Sequence, residues 1–197
     1  ANVGSVSNVE TIISGSGADN ITISTQMVNG MINLGVGNDT VTFSDAGANS
    51  ATVSNVETIV GGSAGDTITL ATATVKAAIN LGDGSDKLVL GNYSNTATVS
   101  NVETIVGGTG LDTLNLGTAL TTAANISLGG GLDKLTLGDF ANTGTITNTE
   151  TIIGGSDADT ITIGAVFTRG SVDLGSGNDK LALGDFANAF TVSNVES

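Results

Sequence analysis

The chain has 197 residues, of which 19 are acidic and five are basic, and its formal net charge is −14. A charge of this sign repels the phosphates of nucleic acids and anionic membrane surfaces, so neither is expected as a partner. The chain has no cysteine and no histidine, which excludes disulfides, thiolate metal sites and imidazole catalysis. No apolar run reaches the roughly 18 residues that a membrane span needs. Cations are therefore the expected partners.

Eight glycine-rich turns recur along the chain, and each delivers one aspartate into a run of alternating apolar residues. The spacings between these aspartates are 20, 27, 20, 26, 21, 26 and 20 residues, so that short and long units alternate. Turns of this kind need positive φ angles and close backbone approach, which glycine tolerates best. The eight aspartates are Asp19, Asp39, Asp66, Asp86, Asp112, Asp133, Asp159 and Asp179.

A recurring glutamate confirms the larger period, with spacings of 47, 46, 47 and 46 residues. These glutamates are Glu10, Glu57, Glu103, Glu150 and Glu196. They define four repeats over residues 6–52, 53–98, 99–145 and 146–191. Because no linker interrupts the repetition, we expect one quasi-one-dimensional domain over residues 1–197. The chain begins and ends at nearly the same phase of the repeat, which is typical of a segment cut from a longer array.

The residues two and four positions after each aspartate are apolar, and most residues between them are threonine or lysine. This alternation predicts a β-strand with one buried face. Proline, which would interrupt a hydrogen-bonded ladder, is absent. The pattern predicts an all-β fold, a parallel β-solenoid of about eight coils. A four-bladed β-propeller is the alternative, because propeller blades have a similar length.

Stacked coils would place the eight turns along one edge, with neighbouring aspartates about one coil apart. Two carboxylates at about 5 Å repel each other by roughly 3 kcal/mol at an effective dielectric constant of 20. A divalent cation between the turns removes this repulsion, and carboxylates with carbonyls form the oxygen set that Ca²⁺ prefers. Alternatively, the aspartates only accept hydrogen bonds from turn N–H groups. The candidate ligands are the eight aspartates with turn carbonyls near Gly15, Gly35, Gly62, Gly82, Gly108, Gly129, Gly155 and Gly175.

The turn at residues 107–115 resembles the RTX nonapeptide Gly-Gly-x-Gly-x-Asp-x-U-x, in which U is large and apolar. The match includes Gly107, Gly108, Gly110, Asp112 and Leu114. The resemblance implies Ca²⁺ between stacked turns and export by type I secretion, followed by folding in external calcium. The wider repeat pattern is similar to the arrays of bacterial S-layer proteins and adhesins. Because single motifs here are 20–27 residues apart rather than in tandem, we expect one calcium edge with at most seven sites.

The repeats and the resemblance together predict a calcium-binding structural segment of a secreted or cell-surface bacterial protein, without enzymatic activity. The expected partners are calcium ions, neighbouring repeats or copies end to end, and cell-surface polysaccharide. One alternative is a polysaccharide-active β-helix enzyme, although each candidate carboxylate belongs to a repeated position. Another is ice binding through outward threonine rows, which Lys87, Lys134 and Lys180 interrupt.

The remaining recurrent residues have less definite roles. The repeat glutamates could supply an extra metal ligand or pair with lysine, but a solvent-exposed or strand-end role is favoured. Asp139 and Asp185 could bind cations at the far edge, with turn formation favoured. Tyr93, Phe140 and Phe186 are interpreted as core residues or edge caps rather than as a ligand-stacking surface.

Overall fold

The computed structural model describes residues 1–196 as two parallel β-sheets with no helix in that range. Successive strands alternate between the sheets, so one strand from each sheet makes one coil. The strands are β1 (Val3–Val6), β2 (Thr11–Ile13), β3 (Asn20–Ile23), β4 (Gly30–Asn33), β5 (Thr40–Thr42), β6 (Ser50–Ser54), β7 (Thr58–Val60), β8 (Thr67–Leu70), β9 (Val75–Asn80), β10 (Lys87–Val89), β11 (Thr96–Ser100), β12 (Thr104–Gly108), β13 (Thr113–Leu116), β14 (Ala124–Gly129), β15 (Lys134–Thr136), β16 (Thr143–Thr147), β17 (Thr151–Gly155), β18 (Thr160–Ile163), β19 (Ser171–Gly175), β20 (Lys180–Leu183) and β21 (Thr191–Ser193).

The odd-numbered strands form an 11-stranded sheet and the even-numbered strands a 10-stranded sheet, each in chain order. Every pairing is parallel, and each strand pairs with the strands one coil before and after it. This topology confirms the parallel β-solenoid and excludes the propeller. The number of coils was predicted wrongly, because the two sheets make about ten coils rather than eight.

The additional coils come from strands that the sequence pattern did not predict. Ser50–Ser54, Thr96–Ser100 and Thr143–Thr147 are strands, and their inward positions carry small residues such as Ala51, Ala97 and Gly144. Each 46- or 47-residue repeat therefore contains five strands, which is two and a half coils. An odd number of strands per repeat places the same motif on opposite sheets in successive repeats.

The core lies between the two sheets and runs through the whole stack. Ile68 and Leu70 of β8, and Leu88 and Leu90 at β10, are at most 2 % exposed, as the alternation predicted. The residues between them point outwards and are half-buried or exposed. Burying a leucine or isoleucine side chain contributes about 1.5–3 kcal/mol. A row of such residues thus gives each coil an apolar surface that the next coil covers.

Asparagine makes the corner before each repeat glutamate by adopting a left-handed conformation. Asn8, Asn55, Asn101, Asn148 and Asn194 have φ angles between 48° and 54°. Asparagine is among the few non-glycine residues that occupy this region readily. In the first three, the corner N–H donates to a threonine hydroxyl 17 residues further along the chain. The recurring pair of Asn and Glu, two residues apart in every repeat, thus marks a corner of the coil.

Lys76 occupies the same left-handed region, with φ of 58°, where β9 bulges against β11. The matching position one repeat earlier is Asn29, with φ of 54°. We expect Lys76→Asn to raise the free energy of unfolding by about 0.5–1 kcal/mol, because asparagine tolerates this conformation better than lysine. Thermal unfolding followed by circular dichroism measures the change. Lys134→Asn makes the same charge change on an exposed strand position, and an equal gain there would contradict the prediction.

Candidate functional site

Four polar residues stand one above another at the entry to successive strands, and we call this arrangement a carboxylate ladder. Around the two aspartates of the third repeat, the backbone N–H of Asn95 donates to Asp112 Oδ1 at 3.0 Å. The N–H of Asp112 donates to Asp133 Oδ1 at 2.8 Å, and that of Asp133 donates to Glu150 Oε2 at 2.9 Å. Each side chain thus accepts the backbone N–H of the residue one coil below. Three hydrogen bonds from backbone to side chain thus join four successive coils.

The same ladder occurs four times, once for each repeat. The ladders are Asn2–Asp19–Asp39–Glu57, Asn49–Asp66–Asp86–Glu103, Asn95–Asp112–Asp133–Glu150 and Asn142–Asp159–Asp179–Glu196. The residues of the first and third ladders precede strands of the 11-stranded sheet, and those of the second ladder and Asn142, Asp159 and Asp179 of the fourth precede strands of the 10-stranded sheet. The prediction that all eight aspartates lie along a single edge is therefore wrong. The aspartates lie in pairs, alternately on two edges.

All eight aspartates are buried, with at most 1 % of each residue exposed. Their Oδ1 atoms accept backbone N–H groups, in each case from the residue one coil below and not from the aspartate's own turn. The other carboxylate oxygen, Oδ2, is buried without a hydrogen-bond partner in six of the eight: Asp39, Asp86, Asp112, Asp133, Asp159 and Asp179. A buried acceptor without a partner is costly, and such groups indicate strain or a missing proton, water or ion.

The first and second aspartates of a ladder differ in the number of donors they receive. Asp112 Oδ1 accepts both the N–H of Asn95 and its Nδ2 group, at 3.0 and 2.9 Å. Asp66 has the same two donors from Asn49, and its Oδ2 also accepts the Gly62 N–H at 2.9 Å. The second aspartates Asp39, Asp86, Asp133 and Asp179 each accept one N–H only. The second aspartate is therefore the less satisfied member of each pair.

Burial raises aspartate pKa values in both positions of a ladder: the pKa of the first aspartates Asp112 and Asp159 is raised by burial, although hydrogen bonds from Asn95 and Asn142 oppose the rise. Burial raises the pKa of Asp86 to about 6, and the carboxylates of Glu103 and Asp66 add to the rise. Burial likewise raises the pKa of Asp133 to about 6, with Asp112 and Glu150 beside it. The ionised forms of Asp86 and Asp133 are therefore disfavoured in the folded protein.

This shift predicts that acidification stabilises the protein when no divalent cation is present. A carboxyl group whose pKa rises on folding binds protons more tightly in the folded state, so stability increases as pH falls from about 6 towards the ordinary value of 3.8. The melting temperature in chelator should be higher at pH 5 than at pH 7. The pKa of Asp19 is lowered, and the hydrogen bond from the Ser14 hydroxyl is the largest cause. Protonation of Asp19 therefore lowers stability, but only at pH values below the ordinary pKa of 3.8.

The double variant Asp86→Asn, Asp133→Asn removes the two carboxyl groups whose pKa is raised to about 6. Asparagine keeps an oxygen that can accept the N–H of the coil below but does not titrate. The difference in melting temperature between pH 5 and pH 7 should shrink in this variant. An unchanged difference would assign the pH effect to other carboxylates or to the overall charge of the chain.

The predicted turn carbonyls lie in the glycine turns that lead into the aspartates. The carbonyls of Gly15, Gly62, Gly108 and Gly155 accept backbone N–H groups from the next coil at 2.8–3.2 Å. The other four glycines, Gly35, Gly82, Gly129 and Gly175, lie in those next coils and have φ angles between 90° and 93°. The glycines thus form stacked turns, and the first set uses its carbonyls to join them.

The carboxylates come together as vertical neighbours and not as a larger cluster. Among residues 1–196, no three acidic side chains are grouped as ligands of a single ion. The one ion pair in this range joins the N-terminal amino group to Asp19 at 3.9 Å. Four of the five repeat glutamates accept the N–H of the second aspartate instead of pairing with lysine, and these are Glu57, Glu103, Glu150 and Glu196. Glu57, Glu103 and Glu150 each directly precede a strand, which is the strand-end position expected from the sequence.

The aromatic residues after the second strands cover their own turns. The rings of Tyr93 and Phe186 lie against Gly91 and Gly184, where an added Cβ would meet ring atoms at 3.4 and 2.4 Å. Both residues are nearly half exposed, Tyr93 at 44 % and Phe186 at 47 %. These positions fit the interpretation as edge caps.

Shallow clefts recur beside the asparagine corners and do not resemble small-molecule sites. Three of them are lined by Asn55–Glu57, Asn101–Glu103 and Asn148–Glu150 with the connector one coil above. Their volumes are about 210, 90 and 100 Å³, and ligand sites usually measure about 300–1,000 Å³. The clefts are therefore a product of the repeated corner geometry.

Residues 1–196 contain no helix long and apolar enough to cross a membrane. The fold and the four ladders are thus the features from which a function can be inferred. No protein-family model, curated protein or solved structure matches this chain.

Proposed function

We propose that the chain is a calcium-stabilised structural segment of a secreted or cell-surface bacterial protein, acting in a surface layer, an adhesin stalk or a filament. The observation that carries this proposal is the set of stacked, buried aspartates with unpartnered Oδ2 atoms. Such carboxylates destabilise the fold while ionised and uncompensated. A bound cation converts them into a stabilising feature.

The donor set suits calcium better than other common metals. Carboxylate and carbonyl oxygens are hard ligands, and Ca²⁺ accepts six to eight of them in irregular geometry. Carbonyl oxygens of the glycine turns that lead into the aspartates would join the carboxylates, and water completes such a shell. The aspartates would hold the ion, and the ion would supply positive charge between coils that otherwise repel each other.

The repetitive architecture supports a mechanical role. The core and both sheets continue without interruption through about ten coils, so the unit is a rod whose length grows with repeat number. Partners of such a rod are neighbouring repeats or further copies end to end, because open strand edges promote pairing. Export by type I secretion and contact with cell-surface polysaccharide are proposed from the RTX resemblance.

Two other functions receive less support. An enzyme would need a group of residues distinct from the repeat, yet the buried carboxylates belong to four equivalent ladders. Ice binding would need a regular outward threonine array, but Lys87 pairs in register with Thr67 and Lys180 with Thr160. The lysines therefore interrupt the rows on the 10-stranded sheet.

A calcium titration of chelator-treated protein tests the proposal. We expect the melting temperature, followed by the β-sheet circular dichroism signal, to rise with Ca²⁺, because a ligand that binds only the folded state stabilises it. Mg²⁺ at the same concentration should have a smaller effect, since it requires near-ideal octahedral geometry. A protein that is indifferent to Ca²⁺ would show that the aspartates serve hydrogen bonding alone.

A further inference from the structure

We infer that the metal site of each repeat is formed by the second aspartate and the repeat glutamate one coil above it, and not by the two aspartates of the glycine turns. The sites are then four in number: Asp39 with Glu57, Asp86 with Glu103, Asp133 with Glu150, and Asp179 with Glu196. This inference rests on the proposed calcium function and specifies its ligands and stoichiometry.

The hydrogen bonds distinguish the two aspartates of a ladder. Asp66 receives three donors, from the backbone and side chain of Asn49 and from the Gly62 N–H, so both of its oxygens are occupied. Asp86 receives one donor, the N–H of Asp66 at 2.6 Å, and its Oδ2 has none. Every second aspartate has an Oδ2 free for a cation, whereas Oδ2 of the first aspartates Asp19 and Asp66 accepts a hydrogen bond. In the third and fourth ladders the first aspartates Asp112 and Asp159 also have a free Oδ2, and there the pair differs only in the extra amide donor that each first aspartate receives on Oδ1.

The glutamate is held directly above the second aspartate by a specific contact. Glu103 Oε2 accepts the backbone N–H of Asp86 at 2.8 Å, and the same contact occurs at 2.8 Å in the first and fourth ladders and at 2.9 Å in the third. This contact uses one glutamate oxygen and leaves the other free of hydrogen bonds to protein. Glu57, Glu103 and Glu150 are half-buried, so this oxygen also has access to solvent.

The charges of the pair match a divalent ion. The second aspartate and the glutamate carry two negative charges on adjacent coils, and no lysine or arginine forms an ion pair with either among residues 1–196. A buried negative charge is retained when it is paired or when it coordinates a metal. Two carboxylates with turn carbonyls and water form a calcium shell without the third acidic side chain that these coils lack.

The fold sets the arrangement of the four sites. Because each repeat is two and a half coils, successive sites lie alternately on the two edges of the solenoid. Two sites on the same edge are five coils apart, about 24 Å at the usual strand spacing. Each ion would stabilise its own group of coils independently of the others.

Isothermal titration calorimetry with CaCl₂ on the chelator-treated chain tests the inference. The wild type should bind four ions. Glu103→Gln keeps an oxygen for the Asp86 N–H but removes the charge, and it should bind three. Asp86→Asn should also bind three. Asp66→Asn changes the first aspartate of the same ladder and is the matched control, which should still bind four. Circular dichroism of each variant shows that it is folded.

The outcomes separate this inference from the function on which it rests. A wild type that binds no calcium would overturn the proposed function itself. Calcium binding that is lost in Asp66→Asn and kept in Glu103→Gln would overturn the ligand assignment and leave the function standing. A stoichiometry of eight in the wild type would likewise assign a site to every aspartate.

Discussion

Replacing Gly108 with alanine should lower the free energy of unfolding by about 2–4 kcal/mol, which is the range of large single-site effects. The reason is the stacking distance between coils. A Cβ atom at Gly108 would lie 1.9 Å from the carbonyl oxygen of Gly91 and 2.8 Å from Asn92 Cα. These are backbone atoms of the coil below, so no side chain can rotate away. The coils would have to separate, and the hydrogen bonds between them would weaken.

Gly15→Ala is the matched control, because Gly15 holds the same position in the turn of the first repeat. A Cβ atom at Gly15 would meet no atom within 4 Å. Neither glycine has a positive φ angle, so the two substitutions differ in packing and not in backbone strain. Thermal unfolding of both variants measures the difference. Equal losses of stability would mean that the turn conformation, rather than the stacking, requires glycine.

The parts of the fold that depend on local pattern were predictable from the sequence. Alternating residues such as Leu114 and Leu116 indicate a strand with one buried face, and glycines followed by Asp112 indicate the turn before it. Both signals fall within ten residues of chain. The β-solenoid, the strand after each aspartate and the buried alternate residues were therefore predicted correctly.

The number of coils could not be read from the same signals. A strand such as Thr96–Ser100 buries Ala97 and Val99, and a small inward residue contributes little to a hydrophobic pattern. Its strand character comes from pairing with β9 and β13, which lie about 20 residues before and 17 after it. Because one strand per repeat was missed, the sequence pattern implied four strands in each repeat, whereas the structure has five. The error then placed all aspartates on one edge instead of two.

The ladder partners are also set by contacts between coils. Asn49 and Asn95 resemble ordinary loop residues in the sequence, yet they donate to Asp66 and Asp112, 17 residues later. A signal was present, since asparagine precedes the first aspartate by the same 17 residues in every repeat. Sequence periodicity shows that these residues recur, but only the register between coils shows which atoms meet.

Replacing Leu114 with alanine should lower the free energy of unfolding by about 2–5 kcal/mol, the usual cost of removing a buried leucine side chain. Leu114 lies in β13 and has no exposed surface. Its strand pairs with β11 and β15, where Ala97 and Leu135 are its register partners, and both are buried in the same core. The cavity would therefore open in the middle of the stack, where neither sheet can close it without losing inter-strand hydrogen bonds.

Leu111→Ala makes the same chemical change three residues earlier and provides the control. Leu111 lies in the glycine turn and is 50 % exposed, so its truncation should change stability by no more than about 0.5 kcal/mol. Thermal unfolding in chelator and in saturating Ca²⁺ should give the same order for the two variants, because the core lies inside the coils and the carboxylates lie at their edges. A loss at Leu111 as large as that at Leu114 would mean that the exposed leucine is covered in solution, and that the turns of the third repeat form an interface.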